Sequence, residues 1–519
     1  MAVSSTTTVN HRQAAQSQFV LMLALTLLMP GCNKPPATSA VKPIQATDQP
    51  SVATEFAALQ LPSTASQSTV EEHPPVVASD KVVSAATRVR LADDRPAINA
   101  ARLAQTGIQI YRGQHLVVLS DLPAQQVSGL PELADSLFDA LEKHFGKLPA
   151  AVDDSSFQVT GHLIGDEQKF RQSGLMPSAA FTFAHGKHVN YEFWMFDPPD
   201  DYYRRHLMLH EFTHCFMTCE SGMRDIPPLW YIEGMAEYFA THSRKDEASD
   251  GGWQFGILPD QFAGFEGWGR ISEFRRSILE IADSGNGGVN NLSIAPLPKI
   301  MPNTVSNFDS GFQYSSSWAL CWFLHNHPQH SKAMRPLTAL KHRDEFIDAA
   351  AAIRQSLEPK LSIDWLLFAE ALQEGFDTDR AFAVHAETPV SLSDISTETP
   401  AEFSLLADRG WQDSGLRLQR GQTVRVQCTG RFTVNRQPQD WVSEPNGVSI
   451  EYVVGRPLGQ IVAVLVNTDG TAITNRISVG KVAEITSPFD CNLWLQVNDS
   501  SNSLGNNSGQ VKVSLAPVE

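Results

Sequence analysis

The chain has 519 residues, too many for one ordinary domain, and its 42% hydrophobic share can fill real cores. A formal net charge of −17 argues against nucleic acid as a partner, because that class of ligand calls for a basic face.

Residues 1–32 read as a targeting segment. A weakly positive start, His11-Arg12, precedes an apolar run of eleven residues from Phe19 to Met29, too short to span a bilayer as a stable helix. The run ends in Met29-Pro30-Gly31-Cys32, which resembles a bacterial lipobox. That resemblance implies an exported lipoprotein of the cell envelope, anchored in the membrane by lipid on Cys32. Asn33 after the cysteine resembles lipoproteins that move on to the outer membrane. Residues 33–92 are rich in Pro, Ala, Ser, Thr and Val and keep no apolar period, so they are expected to form a disordered tether. As a flexible coil it spans roughly 40 Å root-mean-square.

The region 93–395 mixes strands and helices. Ile108–Tyr111 and Leu116–Leu119 predict a strand pair about Arg112-Gly113. Leu130–Phe145 has helical period and stops at Gly146. Phe157–Ile164 predicts a strand, and Ala180–Phe196 a hairpin about His185-Gly186-Lys187.

Next, Tyr202–Met217 carries apolar residues at helical spacing without Gly or Pro. On one helix His210 and His214 lie one turn apart on the same face and can grip one metal ion. Glu211 lies about 100° round the helix, free to act on water beside the metal. The run His210-Glu211-Phe212-Thr213-His214 is thus an H-E-x-x-H arrangement for zinc, with Glu211 as general base. The helix is expected to stop near Ser221-Gly222, and a second to start after Pro227-Pro228. Glu233 and Glu237 then share a face one turn apart. Glu233 is the candidate third ligand, and Glu237 can hydrogen-bond a ligand imidazole and fix its tautomer.

Together with Trp230-Tyr231-Ile232-Glu233-Gly234-Met235-Ala236-Glu237-Tyr238, these residues resemble the gluzincin metallopeptidases, the clan of thermolysin and the M1 aminopeptidases. Eighteen positions, 215–232, separate His214 from Glu233, which is the M1-type interval. The order strand, helix, strand, hairpin, active helix is similar to that of zincin N-terminal subdomains. There an edge strand pairs with extended substrate; His188–Trp194 is the candidate edge. The resemblance also implies an oxyanion-stabilising Tyr at the start of a later helix; Tyr314 is the positional match, with Ser317 where the family has Gly. No Gly-Ala-Met-Glu-Asn-like amine-binding motif is evident, which disfavours an aminopeptidase. Helices are expected to continue through Leu337–Gln355 and Ile363–Gln373. His206 could in principle shift the ligand pair by one turn, but Glu211 would then lose its place between ligands. His242 is expected at the surface or behind the ligands. Cys215, Cys219 and Cys321 could form a disulfide or stay as buried thiols.

Residues 400–519 change character. Thr423–Cys428 and Asn492–Val497 alternate with period two, and turns rich in Gly, Asn and Asp separate short strands, which predicts a β-sandwich. Cys428 and Cys491 fall on apolar phases, to pair or to fill the core. Asn498–Gly509 is dense in oxygen donors of the kind hard Ca²⁺ prefers. With Trp411-Gln412-Asp413-Ser414-Gly415, this loop resembles the calcium-dependent galactose-binding bacterial lectins. That likeness implies calcium on Asp499, Ser503, Asn506 and Asn507, completed by a backbone carbonyl near Val434. The family's sugar-specificity loop has no clear counterpart at Glu444–Gly447.

The expected architecture is an α+β zincin-like catalytic domain, a mixed sheet plus a helical subdomain with the H-E-x-x-H helix, followed by an all-β sandwich. The expected activity is zinc-dependent hydrolysis of peptide bonds. The alternative is an envelope-binding protein with a structural zinc site and a carbohydrate-binding, lectin-like domain.

Overall fold

The computed structural model describes residues 88–177, 183–220, 222, 225–245, 251–280, 292, 294–301, 311–339, 341–437 and 439–518. The expected signal segment with Cys32, and the tether as far as residue 87, lie outside the described residues. Residues 88–92 run along the body. The Arg90 guanidinium donates to Pro149 O (2.8 Å) and Ser155 O (2.6 Å). The Leu91 amide donates to Cys219 O at 2.8 Å.

The N-terminal half is built on a five-stranded sheet. Strands β1 (Gln109–Arg112) and β2 (Leu116–Ser120) form the expected hairpin. Helix α1 (Leu130–Phe145) follows, then β3 (Val159–Ile164), β4 (Gly186–Val189) and β5 (Glu192–Phe196). The order is β1-β2-β3-β5-β4, with β2, β3 and β5 parallel and the two edges antiparallel. The alternation of strand side chains divides β2 cleanly. Leu116 and Val118 face the main core, while Val117 and Leu119 face a small cluster with Phe170 and Trp194 on the other side. Both faces are covered, which is why the strand reads as continuously apolar.

One correction concerns the hairpin. Its turn falls at Asn190-Tyr191, not at His185-Gly186-Lys187. Asn190 takes a left-handed conformation (φ 51°), which Asn tolerates better than most residues. Gly186 instead lies inside β4.

Helix α2 (Asp201–Thr218) crosses the main core under the sheet. Phe212 and Phe216 meet Phe157 edge-on, at ring-centroid distances of 5.9 Å each. Helix α3 (Leu229–Ala240) starts directly after Pro228. It is followed by α4 (Arg270–Glu280), α5 (Gly311–Asn326), α6 (Arg343–Leu357) and α7 (Lys360–Ala371). The single helix expected over Leu337–Gln355 is broken: a tight 3-10 turn ends at Ala339, and α6 restarts after an extended His342. Asp225 fixes that restart by accepting the Arg343 amide on its backbone and side chain.

Helices α3 and α5 pack at Gly234. A side chain there would overlap the Ser317 carbonyl and Cys321 Sγ, so the glycine sets how closely the two helices approach.

The C-terminal region is β-rich. It contains β6 (Ala401–Leu406), β7 (Gln412–Leu418), β8 (Thr423–Thr429), β9 (Asn446–Val453), β10 (Arg456–Asn467), β11 (Val482–Thr486), β12 (Cys491–Val497) and β13 (Gln510–Pro517). One sheet runs β9-β10-β12-β7, extended by Val390–Ser391 beside β7 and Ile477–Ser478 beside β10; the other runs β11-β8-β13-β6. Ile461, Ala463 and Leu465 of β10 face the second sheet, whereas Val462, Val464 and Val466 join the helical core with Trp494. The six-stranded sheet is therefore buried on both sides.

A buried ion pair crosses that contact. Arg476 Nε donates to Glu370 Oε1 at 2.5 Å, and Trp411 Nε1 donates to Glu370 Oε2 at 2.9 Å. Removing one member of such a buried pair costs about 3–5 kcal/mol, because the other is left charged and unpaired. The five described cysteines, Cys215, Cys219, Cys321, Cys428 and Cys491, are all buried free thiols. No disulfide joins them; they fill the cores.

Candidate metal centre

Helix α2 brings His210 and His214 one turn apart, and α3 lays Glu233 across them. His210 Nε2 and His214 Nε2 are 3.0 Å apart. Glu233 Oε2 lies 3.2 Å from His214 Nε2 and 3.3 Å from His210 Nε2. The two rings stand at 83°, so their nitrogens converge on one point. An ion bound tetrahedrally at 2.0–2.1 Å keeps its ligand atoms about 3.3 Å apart. Three lone-pair donors on nearly that triangle fit a zinc ion.

The electrostatics agree. Burial works against a charged His210, but the Glu233 hydrogen bond and the Glu237 and Glu233 charges raise its pKa to about 9. Burial likewise opposes ionised Glu233, yet His214 and His210 hold it far below the usual carboxylate range. The triad holds negative charge where a cation would sit.

Glu237 works behind the ligands. Its Oε1 lies 3.6 Å from His210 Nδ1 and accepts from Arg270 at 2.7 Å; its Oε2 lies 3.1 Å from His206 Nε2. Against the cost of burial, Arg270 and His206 keep it ionised, well below the ordinary carboxylate range. His206 is thus a partner of Glu237, not a substitute for His214.

Glu211, 5% exposed, turns toward the edge strand β4. Its Oε2 lies 3.5 Å from His188 Nδ1. A side chain on Gly186 would overlap Glu211 Oε1. The candidate edge His188–Trp194 is corrected: the sheet edge beside α2 is β4, Gly186–Val189, while residues 192–194 belong to β5, an inner strand paired with both β3 and β4.

Tyr314 lies on the first turn of α5, its ring 5.4 Å from the Arg270 guanidinium carbon. Burial, and then the charges of Glu233, Glu237 and Glu211, push its hydroxyl well above the ordinary tyrosine range. It is a neutral phenol in the field of all three carboxylates.

Spacing alone could suggest His206, one turn from His210. Arg270 and His188 were missed, because they arrive from 56 residues after His214 and 22 before His210 and no local motif marks them. His242 is corrected: it is buried, not at the surface, and does not contact the ligands. Its Nδ1 donates to Ala240 O at 2.8 Å, and its Nε2 accepts from Arg205 at 3.1 Å.

Two further groups of buried donors could hold an ion among the described residues. The first is His206, His210 and Glu237, in which Glu237 is hydrogen-bonded to His206 and lies 3.6 Å from His210 Nδ1. The second is His327, His330 and Asp364; there His330 Nε2 lies 2.7 Å from Asp364 Oδ2, and His385 Nε2, from outside the group, lies 2.6 Å from Oδ1. Those are hydrogen-bond lengths, too short for neighbouring ligands of one ion. The His327 and His330 rings stack at 4.1 Å instead of converging.

In the sandwich, Asp499 and Asn507 meet: Asn507 Nδ2 donates to Asp499 Oδ2 at 2.9 Å. Asn506 Oδ1 and Asn507 Oδ1 are buried and accept no hydrogen bond. Burial raises Asp499 to about 6, despite its bonds from Asn507 and the Ser500 amide. Ser503 Oγ donates to Asn502 Oδ1 at 2.9 Å. The Thr433–Ser508 bridge places Val434 beside this loop. The loop also docks on the segment after α7, where Ser501 Oγ donates to Ala371 O (2.9 Å) and Asn502 Nδ2 to Glu374 O (3.0 Å).

No protein-family model and no curated protein matches the chain. Solved structures similar to part of it include the following two. One is the N-terminal domain of EclA, a PllA-like lectin: 16% identity, 24% of this chain and 100% of that one, TM-score 0.19. The other is Aeromonas hydrophila PliG, a periplasmic lysozyme inhibitor of g-type lysozyme: 10% identity, 27% of this chain and 98% of that one, TM-score 0.14.

Proposed function

We propose that this protein is a zinc-dependent peptidase. The observation that carries the reading is the triangle of His210 Nε2, His214 Nε2 and Glu233 Oε2, 3.0–3.3 Å on each side, with an unliganded carboxylate, Glu211, on the same helix. His210, His214 and Glu233 would hold the zinc, which would supply Lewis acidity toward water and a carbonyl oxygen. Glu211 takes the proton of the attacking water and passes it to the leaving amine. Glu237 orients His210, and Arg270 keeps Glu237 ionised. The neutral Tyr314 hydroxyl donates to the developing oxyanion. Strand β4, last in the order of its sheet, supports pairing with an extended substrate.

The N-terminal apolar run and Cys32 support export and lipid anchoring in the cell envelope. The paired Asp499 and Asn507, with the buried oxygens of Asn506 and Asn507, support a calcium ion in the sandwich loop, with Ser503 alongside. That loop also holds the segment after α7, so calcium serves as a fastening there, and sugar binding forms no part of the reading.

The test is metal content by mass spectrometry together with hydrolysis of a peptide library. The wild type is expected to carry one zinc and to cleave. Glu211→Gln keeps the zinc and loses cleavage, and His214→Ala loses both. A wild type without stoichiometric zinc, or an active Glu211→Gln protein, overturns the proposal.

A further inference from the structure

The mechanism leaves unexplained what aims Glu211. A glutamate has three rotatable side-chain bonds, and a general base must hold one oxygen on the proton it removes. Helix α2 fixes only its backbone. Among the described residues, two groups that meet its carboxylate, Gly186 and His188, come from β4.

Gly186 and His188 are two residues apart on that strand, so they face the same side. Pairing of Gly186 with Met195 and of His188 with Phe193 fixes their register. Met195 and Phe193 are buried in the main core, so the strand cannot slip without exposing them. Glu211 Oε1 rests against the bare backbone of Gly186, and Oε2 lies 3.5 Å from His188 Nδ1. The His188 ring also lies flat on the ring of His214, with centroids 4.5 Å apart and planes at 18°. One side chain therefore touches both the base and a ligand.

We propose that His188 is the positioning residue for the general base: its Nδ1–H holds Glu211 Oε2, and Oε1 is left for proton transfer. The inference rests on the peptidase reading above for its consequence, though not for the contact itself. In this role His188 exchanges no proton with substrate. The proton moves from the attacking water to Glu211 Oε1 and then to the leaving amine. Stacking on His214 sets the tilt of the donor. The same strand that would pair with the substrate thus aligns the base with it.

The experiment compares His188→Ala, His188→Asn and His188→Gln in the full chain, with zinc content measured for each. An asparagine amide nitrogen branches where Nδ1 does, whereas a glutamine amide lies one bond farther out. His188→Ala is expected to keep zinc and KM and to lose about 10–100-fold in kcat, the usual cost of removing such a partner. Asparagine restores most of the loss and glutamine does not. Equal losses in all three variants, or a loss in KM alone, overturn the proposal.

A second readout needs neither zinc nor activity: the ring ¹⁵N spectrum of His188 in the metal-free protein. It is expected to show a protonated Nδ1 that moves toward the Nε2 tautomer in Glu211→Ala. A ring indifferent to Glu211 overturns the proposal. If the wild type binds zinc but cleaves nothing, the peptidase reading fails, and the ring spectrum still decides the contact.

Discussion

Gly186 and Glu211 are in direct contact across the site: strand β4 passes so close to α2 that only a glycine leaves room for the glutamate carboxylate. The candidate metal triad is a property of two helices, but Glu211 is fitted against a strand.

Gly186→Ala should therefore displace Glu211 while leaving the ligands alone. Gly186 is not among the glycines with positive φ, so alanine costs no backbone strain there. A shift of about 1 Å in a catalytic group can cost on the order of a hundredfold in rate. The expected outcome is a fall of that order in kcat with zinc stoichiometry unchanged. Normal turnover in the variant would show that the glycine serves only the fold.

Glu237→Gln should weaken the metal. The carboxylate meets His210 Nδ1, His206 and Arg270 together, and an amide cannot accept from all three. Losing such a partner typically costs 10–100-fold in metal affinity. Competition with a chromophoric chelator measures it. Unaltered affinity would mean that Arg270 and His206 hold Glu237 for structural reasons only.

The fold should be acid-labile in part through His242. Burial pushes this imidazole down to about 3, from an ordinary 6.5. Between those values the unfolded chain binds a proton that the native chain refuses, so lowering the pH favours unfolding. The contribution is complete above about 6.5 and is lost as pH falls toward 3. In metal-free protein, Tm should drop less between pH 7 and 4 for His242→Gln than for the wild type. Parallel pH slopes would refute this.

Asp499 carries an ionisation cost that calcium would relieve. Its carboxyl is raised to about 6 by burial, so at pH 7 it is ionised in a site that resists the charge. Without calcium, Asp499→Asn should stabilise the protein by roughly 1–3 kcal/mol, at 1.36 kcal/mol per pKa unit. Added calcium should raise the Tm of the wild type and not of the variant. Equal calcium responses would remove Asp499 from the ligand set.

Much of this protein is written in local patterns. The interval from His210 to Glu237, two helical periods separated by Pro227-Pro228, already places two imidazoles and a carboxylate within reach of one ion, because 3.6-residue spacing is local geometry. Helix α1 matches its expected bounds, Leu130–Phe145, for the same reason. The period-two runs around Cys428 and Asn492 likewise give the strands of the sandwich.

Other features depend on which elements come together. The turn at Asn190 was not legible because Gly186, the stronger local turn signal, is required by Glu211 from another element. Arg270 reaches Glu237 only because α4 packs beside α5, and His188 reaches Glu211 only because β4 pairs with β5. The loop at Asp499 is fastened on one side by the end of α7 and the segment after it, a contact that no local pattern marks. Sequence by itself determined the chemistry of the candidate metal triad, whose spacing a single helix and its neighbour enforce. Tertiary packing alone decided what holds those ligands and the base in place, since contacts between distant segments leave no periodic trace in the chain.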